Sequence, residues 1–124
     1  MTKNKVGDVD GYVMVVKKKN LKAYRQMAQT GFKVWSKYGA LDYKECVGDD
    51  LKVKFGSSFS RLVKLKPGEV VVFSYIGYKS RAQRDQVNAK VMKDPTMNDP
   101  KWKDKPIPFD MKRMTYGGFK VLVG

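Results

Sequence analysis

The chain reads as an α+β domain whose segments run strand, helix, strand, strand, helix, strand. Three observations predict this. Apolar residues recur with a strand period in four short segments and with a helical period in two longer ones. Turn chemistry, such as Gly48-Asp49-Asp50 and Pro67-Gly68, separates the segments. Both helical stretches are amphipathic, so each has one face to lay on a sheet.

The first strand, Gly11 to Val16, is apolar on both faces, which marks it as central, and Lys17-Lys18-Lys19 ends it in solvent. Asn20 is a natural N-cap for a helix over residues 21–37, in which Leu21, Tyr24, Met27, Ala28, Gly31 and Trp35 share a face and Gly39 is the C-cap. The second strand spans Ala40 to Val47, with Leu41, Tyr43, Glu45 and Val47 on one face and Asp42, Lys44 and Cys46 on the other. Residues 51–68 have no clean period and read as a loop with one short element. Glu69 to Ile76 is the clearest strand, again apolar on both faces. Ser80 and Gln83 form a capping box for the second helix. Asp85 in its first turn suits the helix dipole, Arg81 precedes it for an ion pair, and Pro95 stops the helix near Asp94. Residues 95–110 read as an ordered loop. Tyr116 to Val123 is the last strand, with Phe119, Val121 and Val123 on one face.

This order is the split βαβ repeat of ferredoxin-like folds, an antiparallel sheet with both helices on one side. Strands one and three are apolar on their other side as well. A second copy of the chain in a two-fold homodimer is the simplest cover for it.

Composition bounds the function. At 124 residues the chain is a single domain, 1–124, with a basic N-terminal extension over residues 1–8. A chain this long buries roughly 65–70% of its unfolded surface and needs no disulfide or metal staple. Its one cysteine, Cys46, fits a reducing compartment, and no apolar run approaches a membrane span or a signal peptide, so a cytoplasmic protein without a membrane partner is expected. The 26 Lys and Arg outnumber the 12 Asp and Glu, for a net charge of +14. That excess invites a nucleic-acid partner, yet it is spread over the chain and dominated by Lys, whereas Arg is the usual reader of phosphates and bases.

Several segments carry a family resemblance. They are Asp10-Gly11-Tyr12-Val13, Lys18-Lys19-Asn20 with Tyr24, Gly39-Ala40-Leu41, Glu45 with Gly48-Asp49-Asp50, and Val71-Val72-Phe73-Ser74. Two long blocks complete the set, Arg84 to Pro95 and Pro108 to Phe119. From about Val9 to Val121 the chain resembles the YbaA-like family of bacterial proteins of unknown function. The resemblance implies a dimeric α+β barrel, a ferredoxin-like superfamily that pairs sheets across a dimer, and it implies no activity. The basic N-terminus and Lys101 to Lys105 depart from the family pattern.

The chain contains no His. Haem-binding relatives in that superfamily usually ligate iron through His, so a haem cofactor is not expected; a His/Cys zinc site and a Ser-His or Cys-His nucleophile pair are excluded by count. No cofactor and no metal site are expected. Asp49-Asp50 reads as a turn held by its own side chains rather than a cation site.

Candidate groups remain. Glu45, on an apolar strand face beside aromatic residues, could serve as a general base or pair with a cation. Arg84 and Asn88 share a helix face. Asp85 is expected on the buried stripe with Ala82, Ala89 and Met92, paired with Arg113 of the last block. These groups, with Tyr12, Phe73, Tyr75 and Tyr116, would line a pocket between sheet and helices for a small aromatic or carboxylate-bearing molecule. Cofactor-independent oxygenation or isomerisation enters only by analogy of fold. The alternatives are electrostatic nucleic-acid binding and a purely structural or interaction role.

Overall fold

The structure, a computed structural model, describes residues 5–103 and 106–124. Its main elements are β1 (Asp8–Lys17), α1 (Leu21–Lys37), β2 (Asp42–Val47), β3 (Glu69–Tyr78) and α3 (Arg81–Met92), closed by β4 (Thr115–Lys120). Two one-turn helices, α2 (Phe59–Leu62) and α4 (Pro100–Lys103), lie in the connections, and 3-10 turns form at Lys18–Asn20 and Met111–Arg113. The sheet order is β2-β3-β1-β4 and every pairing is antiparallel. This is the ferredoxin-like arrangement, with the two apolar strands β1 and β3 at its centre.

Strand alternation assigns the two faces. Met14, Val16 and Val72 pack beneath Tyr24 and Ala28 of α1. Ile76 and Tyr78 pack beneath Val34 of α1 and Val87 and Val91 of α3. Both long helices therefore cover one side. On the other, Val15 and Val71 are covered only at one end, by Val63, Leu51 and Leu65 of the β2–β3 connection. Phe73 and Phe119 on that side are 45% and 65% exposed.

Gly31 sits in the middle of α1 for a packing reason. A Cβ there would lie 2.5 Å from the Tyr43 hydroxyl, so the glycine admits the β2 tyrosine against the helix. Gly39, with φ +110°, follows the Tyr38 C-cap and reverses the chain. Asp94, 2% exposed, joins the C-terminal ends of the two long helices. It accepts from the Tyr38 hydroxyl at 2.6 Å, the Thr96 N–H at 2.8 Å and Lys37 at 3.3 Å. These bonds, Tyr38's above all, hold its carboxyl well below the usual range.

Several boundaries differ from the sequence expectation, each for a local reason. β2 begins at Asp42 rather than Ala40, because the Ala40 N–H is used to close α1 on the Trp35 carbonyl. β1 begins at Asp8, so the N-terminal extension stops short of it; Met1 to Asn4 of that extension lie outside the described residues. β4 ends at Lys120, opposite Asp8 where its one neighbour starts, and Leu122 and Val123 stand 95% and 89% exposed beyond it. Ser80 accepts from the Gln83 N–H at 3.1 Å as a capping box requires, but Gln83 reaches past it to the Lys79 N–H at 2.6 Å. Asn20 stands at the α1 N-cap position without a side-chain cap bond. The basic stretch Lys101 to Lys105 lies partly outside the described residues, and its other end forms α4.

Candidate functional site

A cavity of about 340 Å³ lies between α1 and the sheet. Its wall is aromatic and thioether-rich: Tyr12, Tyr24, Trp35, Tyr43 and Phe109 alternate with Met14, Met27, Met97 and Met114. The local cause is the interleaving of two periods. α1 presents Tyr24, Met27, Ala28 and Gly31 at helical spacing, while β1, β2 and β3 present every second residue. Ala28 and Gly31 are the small residues of that helix face and leave the space open.

Glu45 is the polar centre of the wall. Its Oε1 accepts from the Tyr24 hydroxyl at 2.6 Å and its Oε2 from the Tyr43 hydroxyl at 2.9 Å. The Tyr24 hydroxyl also lies 3.4 Å from the Met14 sulfur. Burial, reinforced by the carboxylate, pushes both phenols far above the ordinary tyrosine range, so both remain donors. Tyr12 lines the same cavity, is pushed up to about 12 chiefly by burial and then by Asp10, and stacks on Tyr116 with ring centroids 5.8 Å apart.

The other candidate residues separate into distinct places. Arg84 Nε meets both oxygens of the buried Asp10, at 3.1 and 3.2 Å, beside Gly118. Asn88 accepts from Trp35 Nε1 at 3.0 Å and from the Tyr78 hydroxyl at 3.3 Å, which fixes Trp35 on the cavity wall. Tyr75 borders the cavity from β3, but its side chain lies on the opposite side of the sheet, with its ring centroid 6.3 Å from that of Phe73 and its hydroxyl donating to Asp42 at 3.1 Å. Phe73 points to the opposite side of the sheet, where it stacks on Phe59 with centroids 6.3 Å apart.

The expected Asp85–Arg113 pair does not form. α3 buries Val87 and Val91 and half-buries Gln83, Arg84 and Asn88; Asp85, Ala82, Ala89 and Met92 are exposed. The true stripe carries polar residues because it lies over polar partners, Asp10, Tyr78 and the Gly39 carbonyl. Asp85 bonds instead to its neighbour Arg84 at 3.2 Å, not to Arg81. Arg113 pairs with Glu69 at 2.7 and 3.0 Å and donates to the carbonyls of Val63 and Lys64. Sequence reasoning missed Asp10, Tyr24 and Trp35 as polar partners. Two signals pointed there: Tyr at two positions of an apolar neighbourhood around Glu45, and an acidic residue on a central strand.

The charge is also organised. Lys17 ends β1 and Lys18, Lys19 and Lys22 follow it, Lys64 and Lys66 precede β3, and Lys112 precedes β4. The antiparallel register, Lys17 opposite Glu69, brings all of these exposed lysines to one end of the sheet. Cys46 is an exposed free thiol on β2. Among the described residues no group of three or more His, Cys, Asp or Glu is placed to hold a metal, and no helix is long and apolar enough to cross a membrane.

Fold and cavity together define a ferredoxin-like α+β domain with a tyrosine-bound carboxylate between sheet and helix. The chain belongs to the family described as "Protein of unknown function (DUF1428)", whose model matches residues 8–111. It is 39% identical over 115 residues to the uncharacterised protein YbaA of Escherichia coli K12, covering 93% of this chain and 96% of that one. The uncharacterised YbaA of Shigella flexneri matches to the same extent. Among solved structures, an amidase of the hydantoinase/carbamoylase family from Burkholderia phymatum superposes with a TM-score of 0.38 and 11% identity. That match covers 95% of this chain and 28% of the amidase, and it carries no argument about function.

Proposed function

We propose that this protein binds a small, predominantly aromatic molecule in the cavity between α1 and the sheet. The observation that carries the reading is the cavity itself. It has the volume of a small-ligand site, roughly 300 Å³ or more, and a largely apolar wall with a few polar groups, Glu45 and Ser74 among them. The sequence leads one to expect an aromatic or a carboxylate-bearing ligand. Glu45 favours the first, since a ligand carboxylate would meet a like charge in a poorly solvated space. Any chemistry on the ligand rests on fold analogy alone, with Glu45 the one candidate base on the cavity wall.

Ligand-observed NMR against a library of small aromatic fragments tests the reading, with Ala28→Leu as the comparison. Leu at position 28 adds volume to the cavity wall. Fragments that bind the wild type should lose their signal changes with Ala28→Leu. Fragments that bind both proteins alike would place the site elsewhere.

The same proposal includes a homodimer closed through the uncovered side of the sheet, supported by Phe73 and Phe119, and a reducing cytoplasmic setting, supported by the exposed Cys46 thiol. A second reading, electrostatic binding of nucleic acid, is favoured by the lysines gathered at one end of the sheet. Fluorescence anisotropy with oligonucleotides at rising salt tests it. Affinity should fall steeply with salt, and an absence of binding at low salt removes the reading.

A further inference from the structure

We infer that the cavity selects an organic cation, a small aromatic or aralkyl ammonium, over neutral and anionic molecules of the same shape. The inference rests on the reading of the cavity as a ligand site and adds the charge of the ligand.

Among the described residues that line the cavity, Glu45 is the one acidic side chain. Lys44 is the one basic residue on the lining, but strand alternation turns its side chain away from that of Glu45, and its ammonium is engaged by Asp42 at 2.6 Å. The charge facing the interior is therefore negative. An ionised carboxylate offers about four acceptor sites, and the two phenols use two of them. Tyr24 and Tyr43 hold the carboxylate without neutralising it, because each donates a hydrogen bond and keeps its proton. The acceptor capacity left over is matched by an N–H donor with a positive charge, since a charge-assisted bond is about twice as strong as a neutral one.

The walls agree with this. The rings of Tyr24 and Tyr43 adjoin Glu45 and those of Tyr12 and Trp35 line the same cavity, and an aromatic face attracts a cation through its quadrupole. Methionine sulfur adds a polarisable surface suited to an apolar ligand body. A neutral ligand would gain the apolar surface alone. An anion would lose by repulsion from Glu45. The net charge of +14 acts in the opposite sense on the outside of the molecule, where it attracts anions and is screened by salt. Preference for a cation would thus report the interior and not the surface.

The test uses three probes of one shape: 2-phenylethylamine, 2-phenylethanol and phenylacetate. Affinities are measured by isothermal titration calorimetry at neutral pH and physiological salt. The wild type should bind the amine about tenfold or more tighter than the alcohol, with phenylacetate weakest. Glu45→Gln should bring the amine down to the affinity of the alcohol and leave the alcohol unchanged. Lys44→Ala should alter neither, and Tyr24→Phe, which keeps the carboxylate, should keep the order of the three probes. Circular dichroism and thermal unfolding confirm that each variant is folded. If the wild type binds the alcohol or phenylacetate as tightly as the amine, the inference is overturned while the cavity remains a ligand site. If Glu45→Gln keeps the amine preference, Glu45 is not its source and the inference is likewise overturned. If none of the three probes binds, the inference is overturned, and if the aromatic fragment library fails as well, the reading of the cavity falls with it.

Discussion

Arg84 Nε lies 3.1 and 3.2 Å from the two carboxylate oxygens of Asp10, tying the first turns of α3 to the central strand β1. Asp10 is only 4% exposed, and Arg84 is the cation that meets it there. Removing one member of a buried pair strands the other, at about 3–5 kcal/mol. Arg84 is itself partly solvated, which places Arg84→Met at the lower end, about 3 kcal/mol of lost stability. The double variant Asp10→Leu with Arg84→Met should recover most of the loss. Urea unfolding measures all three proteins. A double variant as unstable as the single one would mean that the ion pair is not what Arg84 supplies.

Tyr24 and Tyr43 meet the same carboxylate, so their contributions should be coupled. A hydrogen bond to a charged group contributes about 1.5–3 kcal/mol. Tyr24→Phe should therefore cost about 2 kcal/mol, and Tyr43→Phe a similar amount. With both removed, Glu45 is left half-buried with neither donor, and the double loss should exceed the sum. Chemical denaturation of the cycle reads the coupling. Strict additivity with small single losses would show that water replaces both phenols at no cost.

The tyrosines set the alkaline limit of the fold. Tyr12 is pushed up from 10.0 to about 12, first by burial and then by Asp10. A group whose folded value is raised contributes stability that is complete below its unfolded value and is lost as pH rises through the folded one. The contribution of Tyr12 should thus be complete below pH 10.0 and be lost between there and about 12. Tyr24, Tyr43 and Tyr78 are raised further in the same direction, chiefly by burial, and add to the loss. Ultraviolet titration of the native protein should find these phenols protonated well above pH 10.0, with phenolate appearing as the protein unfolds. Tyr12→Phe should reduce the slope of stability against pH in that window. An unchanged slope would remove Tyr12 from the account.

On the acid side the corresponding group is Glu69. The Arg113 guanidinium holds its carboxyl down from 4.5 to about 2, helped by the Lys66 N–H. A depressed carboxyl contributes stability that is present above its unfolded value and is lost as pH falls through the folded one. Stability should decline between pH 4.5 and about 2, and Glu69→Gln should flatten that decline while lowering stability at neutral pH. Thermal unfolding across this range measures both. Arg113 also donates to the carbonyls of Val63 and Lys64, and Lys64 is held at φ +52°, a conformation that an L residue adopts at some cost. Loss of the Glu69–Arg113 pair should therefore loosen the 63–68 turn first, which hydrogen exchange would detect at those amides.

What was legible in the sequence follows the range over which each determinant acts. The periods of Val13 to Val16, Val70 to Ile76 and the Tyr24–Ala28–Gly31 stripe are local, and they show the elements and their order; with β1 and β3 apolar on both faces, they do not show which side the helices cover. The position of Glu45 among apolar residues was equally local, and the structure places it on a cavity wall. Pairings over long separations were not legible. Arg113 had several acidic residues available, and its choice of Glu69 over Asp85 depends on β4 entering the sheet beside β1, close to where β3 begins. Asp85 was misplaced because α3 lies over polar groups, so the apolar pattern of Ala82, Ala89 and Met92 did not mark the buried face. In the sequence Asp10 stands only within a family motif, and the packing of α3 reveals it as the partner of Arg84.

The uncovered side of the sheet yields the last prediction. Phe73 and Phe119 stand on it at 45% and 65% exposure, although α2 and its flanking residues cover Val15 and Val71 and Phe59 of α2 stacks on Phe73. A two-fold interface through this side would use each residue twice, so one substitution introduces two charges into a single apolar patch. Stable homodimers bury about 1,200–2,000 Å² or more, an area that the face of a four-stranded sheet can supply. The wild type should elute with light-scattering mass twice its 14.2 kDa, and Phe119→Glu or Phe73→Glu should shift it to the monomer. Leu122→Glu, at a position 95% exposed beyond the end of β4, should leave the mass at the dimer value. A wild-type protein that is monomeric at micromolar concentration would mean that this side of the sheet is covered by something other than a second copy.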